Sequence, residues 1–303
     1  MRLGQKIRRT FIYRITRFFY RVFNIIPRKL AIFLGGWIGL VAWKIITKDQ
    51  RLIYRNLGLC YDGALSAQEK VNIGQRFFIN SGRNIADLLR FEKHYDSDIS
   101  GLVTTEGLEH FDRAYKREKG VFGITAHLGN FELLAVHLAK LGYRIGVISR
   151  PLADNKLNEL LVKNREKLGI TNFFASNFPI GVINWLKSGG AVGVLIDTDS
   201  SRFKGEFIPI FDRLAKVPVG QTVIAMKLGA ALVPMACLRT AKHHYRVIIR
   251  PEIPINITSD IRKDIYRITQ SSSLELERLI KQYPDQWIWM HNRWRSLPEE
   301  YRA

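Results

Sequence analysis

The reading of one stretch decides the fold: "GVFGITAHLGNFELLAVHLAKLG", Gly120 to Gly142. Its opening, Gly120 to Ala126, is an uncharged run with β-branched and aromatic residues, short enough for a buried strand. After His127 a Gly-Asn pair turns the chain. Asn130 is a good helix N-cap, because its side chain can accept from the first free backbone N–H groups. From Phe131 the apolar residues recur at helical spacing until Gly142 ends the pattern.

The same strand-then-helix unit repeats downstream. "RIGVISR" (144–150) reads as a strand, and "DNKLNELLVKNREKLG" (154–169) as a helix capped by Asp154 or Asn155. "ITNFFA" is a short strand, and "PIGVINWLKSGG" a helix ended by Gly189 and Gly190. "AVGVLIDTD" (191–199) is a strand, residues 217–230 a helix, and "ALVPMACLR" and "HYRVIIRP" are strands. Ser259 to Tyr283 is a last long helix, and upstream residues 51–92 are helical, with Ser66 and Glu69 spaced as a capping box. Strands that alternate with helices, several of them apolar throughout, predict an α/β fold: a mostly parallel central sheet covered by helices. Ligands of such sheets gather at the carboxyl ends of strands. His127, Arg150, Asp197 and Asp199 all fall at such ends.

Composition sets the frame. The 303 residues are 47% hydrophobic and 24% charged, ordinary for a globular chain of one large or two small domains. The charge is unusual: 47 Lys+Arg against 27 Asp+Glu, formally +20. Such a field attracts phosphates, whether on nucleic acid, on anionic lipid or on an acidic carrier protein. Cys60 and Cys237 form no close-spaced pair, which argues against a disulfide framework or a zinc–thiolate site and suits a reducing compartment.

Residues 1–48 contain no acidic residue, and aromatics interleave with their arginines and lysines. Within them "LAIFLGGWIGLVAW", Leu30 to Trp43, is uncharged but shorter than the roughly 20 residues of a spanning helix. Both its flanks are basic, which favours keeping both ends on the cytoplasmic side. The segment reads as an arm lying in a membrane interface, anchored by Trp37, Trp43 and its bases. Two domains follow: an anchoring arm, 1–48, and the α/β domain, 49–303. A buried helix beneath a basic face, or a binder of single-stranded nucleic acid, would share the composition.

The residues of the turn carry chemistry of their own. With a turn between them, His127 and Glu132 can converge, the carboxylate fixing one imidazole nitrogen and leaving the other to take a proton from a hydroxyl. A Glu in the first turn is also favoured by the helix dipole alone. His137 makes no HExxH with His127, so a zincin-type metal site is unsupported.

"HLGNFE" resembles the His-x4-acid motif of the lysophospholipid acyltransferase superfamily, and within it the branch of bacterial lipid A late acyltransferases. Five further blocks resemble that branch, in order: "RNLGLCY", "SRPLADNKLNELLVKNREKLG", "GGAVGVLIDTDS", "GEFIPIFDRLAKVPVGQTVIAMKLGAALVP" and "YPDQWIWMHNRWR". Together they span roughly 51–295. Ala126 stands where the branch usually has Asn or Thr, and Phe131 where it has Trp.

The resemblance implies the acyltransferase α/β fold, with no metal and no cofactor. It implies transfer of a fatty acyl chain from an acyl carrier protein thioester to a hydroxyl of an anionic membrane glycolipid, a lipid A precursor, at the cytoplasmic face of the bacterial inner membrane. His127 would be the general base and Glu132 its orienting carboxylate. The backbone N–H groups of Leu128 to Asn130 would help hold the oxyanion. Arg150 and Arg165 would grip a phosphate, and Asp197 and Asp199 would hold those arginines or sugar hydroxyls. Asn130, His291 and Arg293 complete the substrate-binding set. Acyl-CoA with another acceptor, such as a phosphatidylinositol mannoside, is the nearest alternative. A non-catalytic membrane- or nucleic-acid-binding protein on the same scaffold is another. With an acidic carrier, an anionic acceptor and a membrane surface as partners, the basic excess needs no nucleic acid.

Overall fold

The structure, a computed structural model, describes residues 3–174, 178–199, 204–296 and 298. Four helices come first: α1 (Leu3–Ile25), α2 (Arg28–Ile45), α3 (Thr47–Tyr61) and α4 (Ala67–Leu88). Pro27 parts the first two, since proline lacks the N–H that would continue a helix and disfavours helical geometry in the residue before it. Ser66 and Glu69 start α4 with the reciprocal bonds their spacing predicts.

A short helix, α5 (Phe91–His94), then leads into β1 (Val103–Glu106) and α6 (Leu108–Tyr115). The expected alternation follows with small shifts at the ends: β2 (Val121–Thr125), α7 (Phe131–Lys140), β3 (Ile145–Ser149), α8 (Asn155–Lys167), β4 (Ile170–Phe174), α9 (Phe178–Lys187) and β5 (Ala191–Leu195). Ala175, read with β4, lies outside the described residues. After β6 (Gly205–Ile210) and β7 (Arg213–Pro218) come α10 (Gly220–Leu228), β8 (Ala231–Arg239), β9 (Tyr245–Ile249) and α11 (Ile261–Gln282).

Two features correct the sequence reading. The helix expected from Val217 begins at Gly220, because 217–218 end β7, which pairs antiparallel with β6 in a separate hairpin. Phe211 and Asp212 turn that hairpin, both at positive φ (50° and 57°), the twist a tight hairpin turn requires. The sheet order is β1-β9-β8-β2-β5-β3-β4. Every neighbouring pair from β8 to β4 is parallel, but β9 runs antiparallel to β8. Only residues 240–244 join those two strands, too few for the crossover that a parallel pair needs.

The central strands are buried on both faces. Phe122, Ile124, Leu232, Ala236 and Leu238 enter one core with α10 and α11, and Val121, Val233, Met235 and Cys237 enter the other with α6 and α7. That is the period of two expected of a strand covered on both sides.

The apolar segment of the arm is α2, and half of it belongs to this packed body. A Cβ on Gly39 would lie 2.2 Å from the Phe78 carbonyl oxygen, and one on Gly82 would lie 2.0 Å from that of Gly35. The glycines therefore let α2 and α4 touch backbone to backbone. The opposite face of α2 leaves Leu30, Phe33 and Trp37 exposed. No single helix among the described residues is long and apolar enough to cross a membrane, and α2 meets α3 at 87°.

Candidate active site

β2 and β5 are paired in register, Thr125 opposite Leu195. The chain therefore leaves both strands at one edge of the sheet, with His127 two residues past β2 and Asp197 two past β5. The imidazole Nδ1 of His127 donates to Asp197 Oδ1 at 2.9 Å, and the His127 backbone N–H donates to Asp197 Oδ2 at 2.8 Å. Trp287 Nε1–H donates to the same Oδ2 at 2.8 Å. A carboxylate only accepts, so Nδ1 carries the proton and neutral His127 presents a bare Nε2. That nitrogen has no hydrogen-bond partner among the described residues, and the side chain is 29% exposed.

The electrostatics agree with the geometry. Burial works against charge on Asp197, but the His127 charge and the hydrogen bonds from His127 and Trp287 outweigh it and hold the carboxyl down at about 2. Burial also works against charge on His127. The charge and hydrogen bond of Asp197, with the charge of Glu132, outweigh it and lift the imidazole above its ordinary 6.5.

The orienting carboxylate is thus Asp197, and this corrects the role expected of Glu132. Arg165 holds both Glu132 oxygens, Nε to Oε2 at 3.2 Å and Nη2 to Oε1 at 2.5 Å. A forked guanidinium in α8 outcompetes a single imidazole N–H for a carboxylate in α7. Glu132 still acts on His127 through its charge. Arg165 is buried, and its Nη1 donates to Asn172 Oδ1 at 2.6 Å, so it is not aimed at a substrate phosphate. Arg150 stands exposed just past β3.

The turn differs from expectation too. The Gly129 N–H donates to Gln286 O at 2.9 Å and the Asn130 N–H to Cys237 O at 2.7 Å, so neither is available to an oxyanion. Gly129 has φ +63°, and a Cβ there would lie 2.1 Å from the Cys237 oxygen. Asn130 caps α7 through Leu133 N–H at 3.1 Å and donates to Tyr245 Oη, a structural role rather than a substrate contact. Asn84 of α4 donates to Gly129 O at 3.0 Å and accepts from Arg239, which with Arg28 and Tyr245 surrounds buried Asp87.

The other expected contacts also turn inward. Asp199 accepts from Ser296 N–H and Oγ–H at 2.9 and 3.0 Å, tying down the C-terminal segment. Arg293 is 1% exposed and donates to Lys216 O at 2.6 Å. Burial pushes its guanidinium down to about 10, against the pull of Asp197 and Asp199. His291 is half-buried, and its basicity is lowered first by burial and then by Arg293 and His127, with Asp197 opposing. Trp287 both packs in the core and holds Asp197. The signal for it was its place in the C-terminal block that resembles the acyltransferase branch.

A carboxylate-held histidine at the carboxyl ends of two central parallel strands defines the class: an α/β fold with an oriented imidazole where such sheets bind their ligands. The chain belongs to the bacterial lipid A biosynthesis acyltransferase family, whose model matches residues 5–296. It is an acyltransferase. It is 25% identical to the lipid A biosynthesis palmitoleoyltransferase of Escherichia coli over 90% of this chain and 87% of that one. It is 24% identical to the lipid A biosynthesis lauroyltransferase of the same organism, over 90% and 88%. Identity to the phosphatidylinositol mannoside acyltransferase of Mycobacterium tuberculosis is 25%, over 65% and 62%.

Proposed function

We propose that the protein moves a fatty acyl chain from an acyl carrier protein thioester to a hydroxyl of a lipid A precursor. The observation that carries the reading is the His127–Asp197 pair with Nε2 open. The acceptor hydroxyl donates to Nε2. As its oxygen attacks the thioester carbonyl, Nε2 takes the proton. Asp197 stabilises the imidazolium, with Glu132 in the first turn of α7 adding its charge. When the tetrahedral intermediate collapses, the C–S bond breaks and the imidazolium returns its proton to the leaving sulfur. Arg150 is the exposed cation nearest in sequence to this edge and is proposed to meet the donor or acceptor phosphate.

The arm is proposed to hold the enzyme on the cytoplasmic face of the inner membrane. Phe11, Ile15 and Phe18 on α1, and Leu30, Phe33 and Trp37 on α2, form exposed apolar stripes beside bases and without acids. The nearly full-length likeness to lipid A enzymes favours that acceptor over a phosphatidylinositol mannoside, whose enzymes match a shorter span.

The test is reconstitution in detergent with acyl carrier protein thioester and a partly acylated phosphodisaccharide lipid, read by mass spectrometry. The product gains one acyl chain, and His127→Asn abolishes the gain. Transfer from acyl-CoA to a mannoside with none to the disaccharide would overturn the acceptor and donor. Parental transfer by a folded His127→Asn would overturn the base.

A further inference from the structure

With Arg165 committed to Glu132 and Asn172, Arg150 is left as a single cation for the phosphates of donor and acceptor, and a second cationic site lies elsewhere on the chain. Lys48, Arg51 and Arg55 recur at i, i+3 and i+7 on α3, and so share one helix face. With Leu52 and Asn292 they line an open groove of about 630 Å³, and among the described residues no carboxylate lines it. All three basic side chains are exposed, and Arg55 Nη2 donates to Asn292 Oδ1 at 2.5 Å.

Two contacts place this groove between the membrane-facing arm and the candidate active site. Asn56, beside Arg55, donates to Trp289 O and His291 O at 2.7 and 2.8 Å. The segment from Trp287, which holds Asp197, to Asn292, which lines the groove, is thus a shared wall. At its other end α3 leaves α2 through the 87° bend, where Ile45 is exposed beyond Phe33 and Trp37. Apolar surface gives way to basic surface within a few residues, the order met on passing from acyl chains to headgroups.

We propose that this groove binds a phosphomonoester on the headgroup of the membrane glycolipid acceptor. The inference rests on the glycolipid reading of the acceptor. A concave site with three cations and one leucine suits a small dianion on a sugar. A stable protein partner needs a patch of roughly 800 Å² per side. A single-stranded nucleic acid would want stacking aromatics, and among the described residues none lines the groove.

The experiment is vesicle flotation of the full chain. Phosphatidylcholine vesicles carry either a bisphosphorylated disaccharide lipid or the same lipid after phosphatase treatment. The parental protein prefers the phosphorylated vesicles. Lys48→Gln/Arg51→Gln weakens binding to them by on the order of 25-fold, at about fivefold per cation, and leaves binding to the dephosphorylated ones unchanged. Lys227→Gln/Arg246→Gln removes two exposed charges elsewhere and keeps the preference.

Full preference in the groove variant overturns the proposal. So does loss of acyl carrier protein capture with lipid preference intact, which would make the groove a protein dock. His127→Asn is expected to retain the preference while losing transfer. A preference that depends on Lys48 and Arg51 in a protein that transfers no acyl chain would refute the catalytic reading alone.

Discussion

Replacing Asp197 with asparagine keeps the volume of the side chain and removes its charge. Among the described residues Oδ2 serves two fixed donors, the His127 N–H and Trp287 Nε1–H, each at 2.8 Å, and Oδ1 serves only His127 Nδ1. The single amide oxygen satisfies more donors at the Oδ2 position, which turns the NH2 toward Nδ1. An NH2 group needs an acceptor there, so the imidazole proton moves to Nε2, the atom that must accept from the hydroxyl. The same exchange in hydrolase triads costs about 10⁴-fold in kcat, and a loss of that order is expected here with little change in KM. Stability should fall by the worth of one charged hydrogen bond, about 1.5–3 kcal/mol, so circular dichroism must confirm the fold. Glu132→Gln is the control. It loosens Arg165 and withdraws a charge but leaves the tautomer intact, and is expected to cost at least about tenfold less than the Asp197 exchange. Single-turnover acyl transfer measures both. If Asp197→Asn retains activity within tenfold while Glu132→Gln loses more than a thousandfold, Glu132 is the working partner of His127 and the reasoning fails.

Four further outcomes follow from the same geometry. Trp287→Phe keeps an aromatic ring in the core but deletes a donor to Asp197, and should cost roughly tenfold in kcat, one charged hydrogen bond's worth, with KM unchanged. Because His127 is lifted above 6.5 and works as the neutral base, kcat/KM should rise with pH through a midpoint above 6.5. Glu132→Gln should move that midpoint down, and an unmoved midpoint would remove Glu132 from the electrostatics of the site. The stability from this pairing is full below 6.5 and fades as pH rises through the lifted value. For Asp197, held low, the contribution is present above 3.8 and is lost as pH falls toward about 2. Gly129→Ala meets both a φ of +63° and the Cys237 oxygen, and should lower stability by at least about 1–3 kcal/mol in chemical unfolding, with activity lost in step.

How legible the molecule was depends on the distance over which each feature is decided. Strand β2, the Asn130 cap and helix α7 are set by neighbours within a few residues, and the sequence reading places them well. So does the Ser66–Glu69 box. The partner of His127 is decided by which strand lies beside β2. Asp197 is 70 residues away in the chain and adjacent only because β5 slots between β2 and β3. Glu132 was the nearer carboxylate in sequence, and the arginine that claims it lies on another helix. The β6–β7 hairpin was missed because its turn uses Phe and Asp at positive φ, without the glycine that usually marks such a turn. Trp287 hid in plain sight: an indole reads as packing until its N–H is seen to have a partner.

One helix joins two ends of this molecule. α4 meets α2 through Gly82, and two residues further on its Asn84 holds the carbonyl of Gly129 in the turn after His127. Arg28 of α2 grips Asp87 on the same stretch through a two-pronged ion pair. No loop intervenes between these attachments, so the exposed apolar face of α2 and the imidazole of His127 form one rigid gauge. If that face settles in a membrane, as proposed, the proposed base stands at a set height above its plane, and only hydroxyls presented at that height come within its reach.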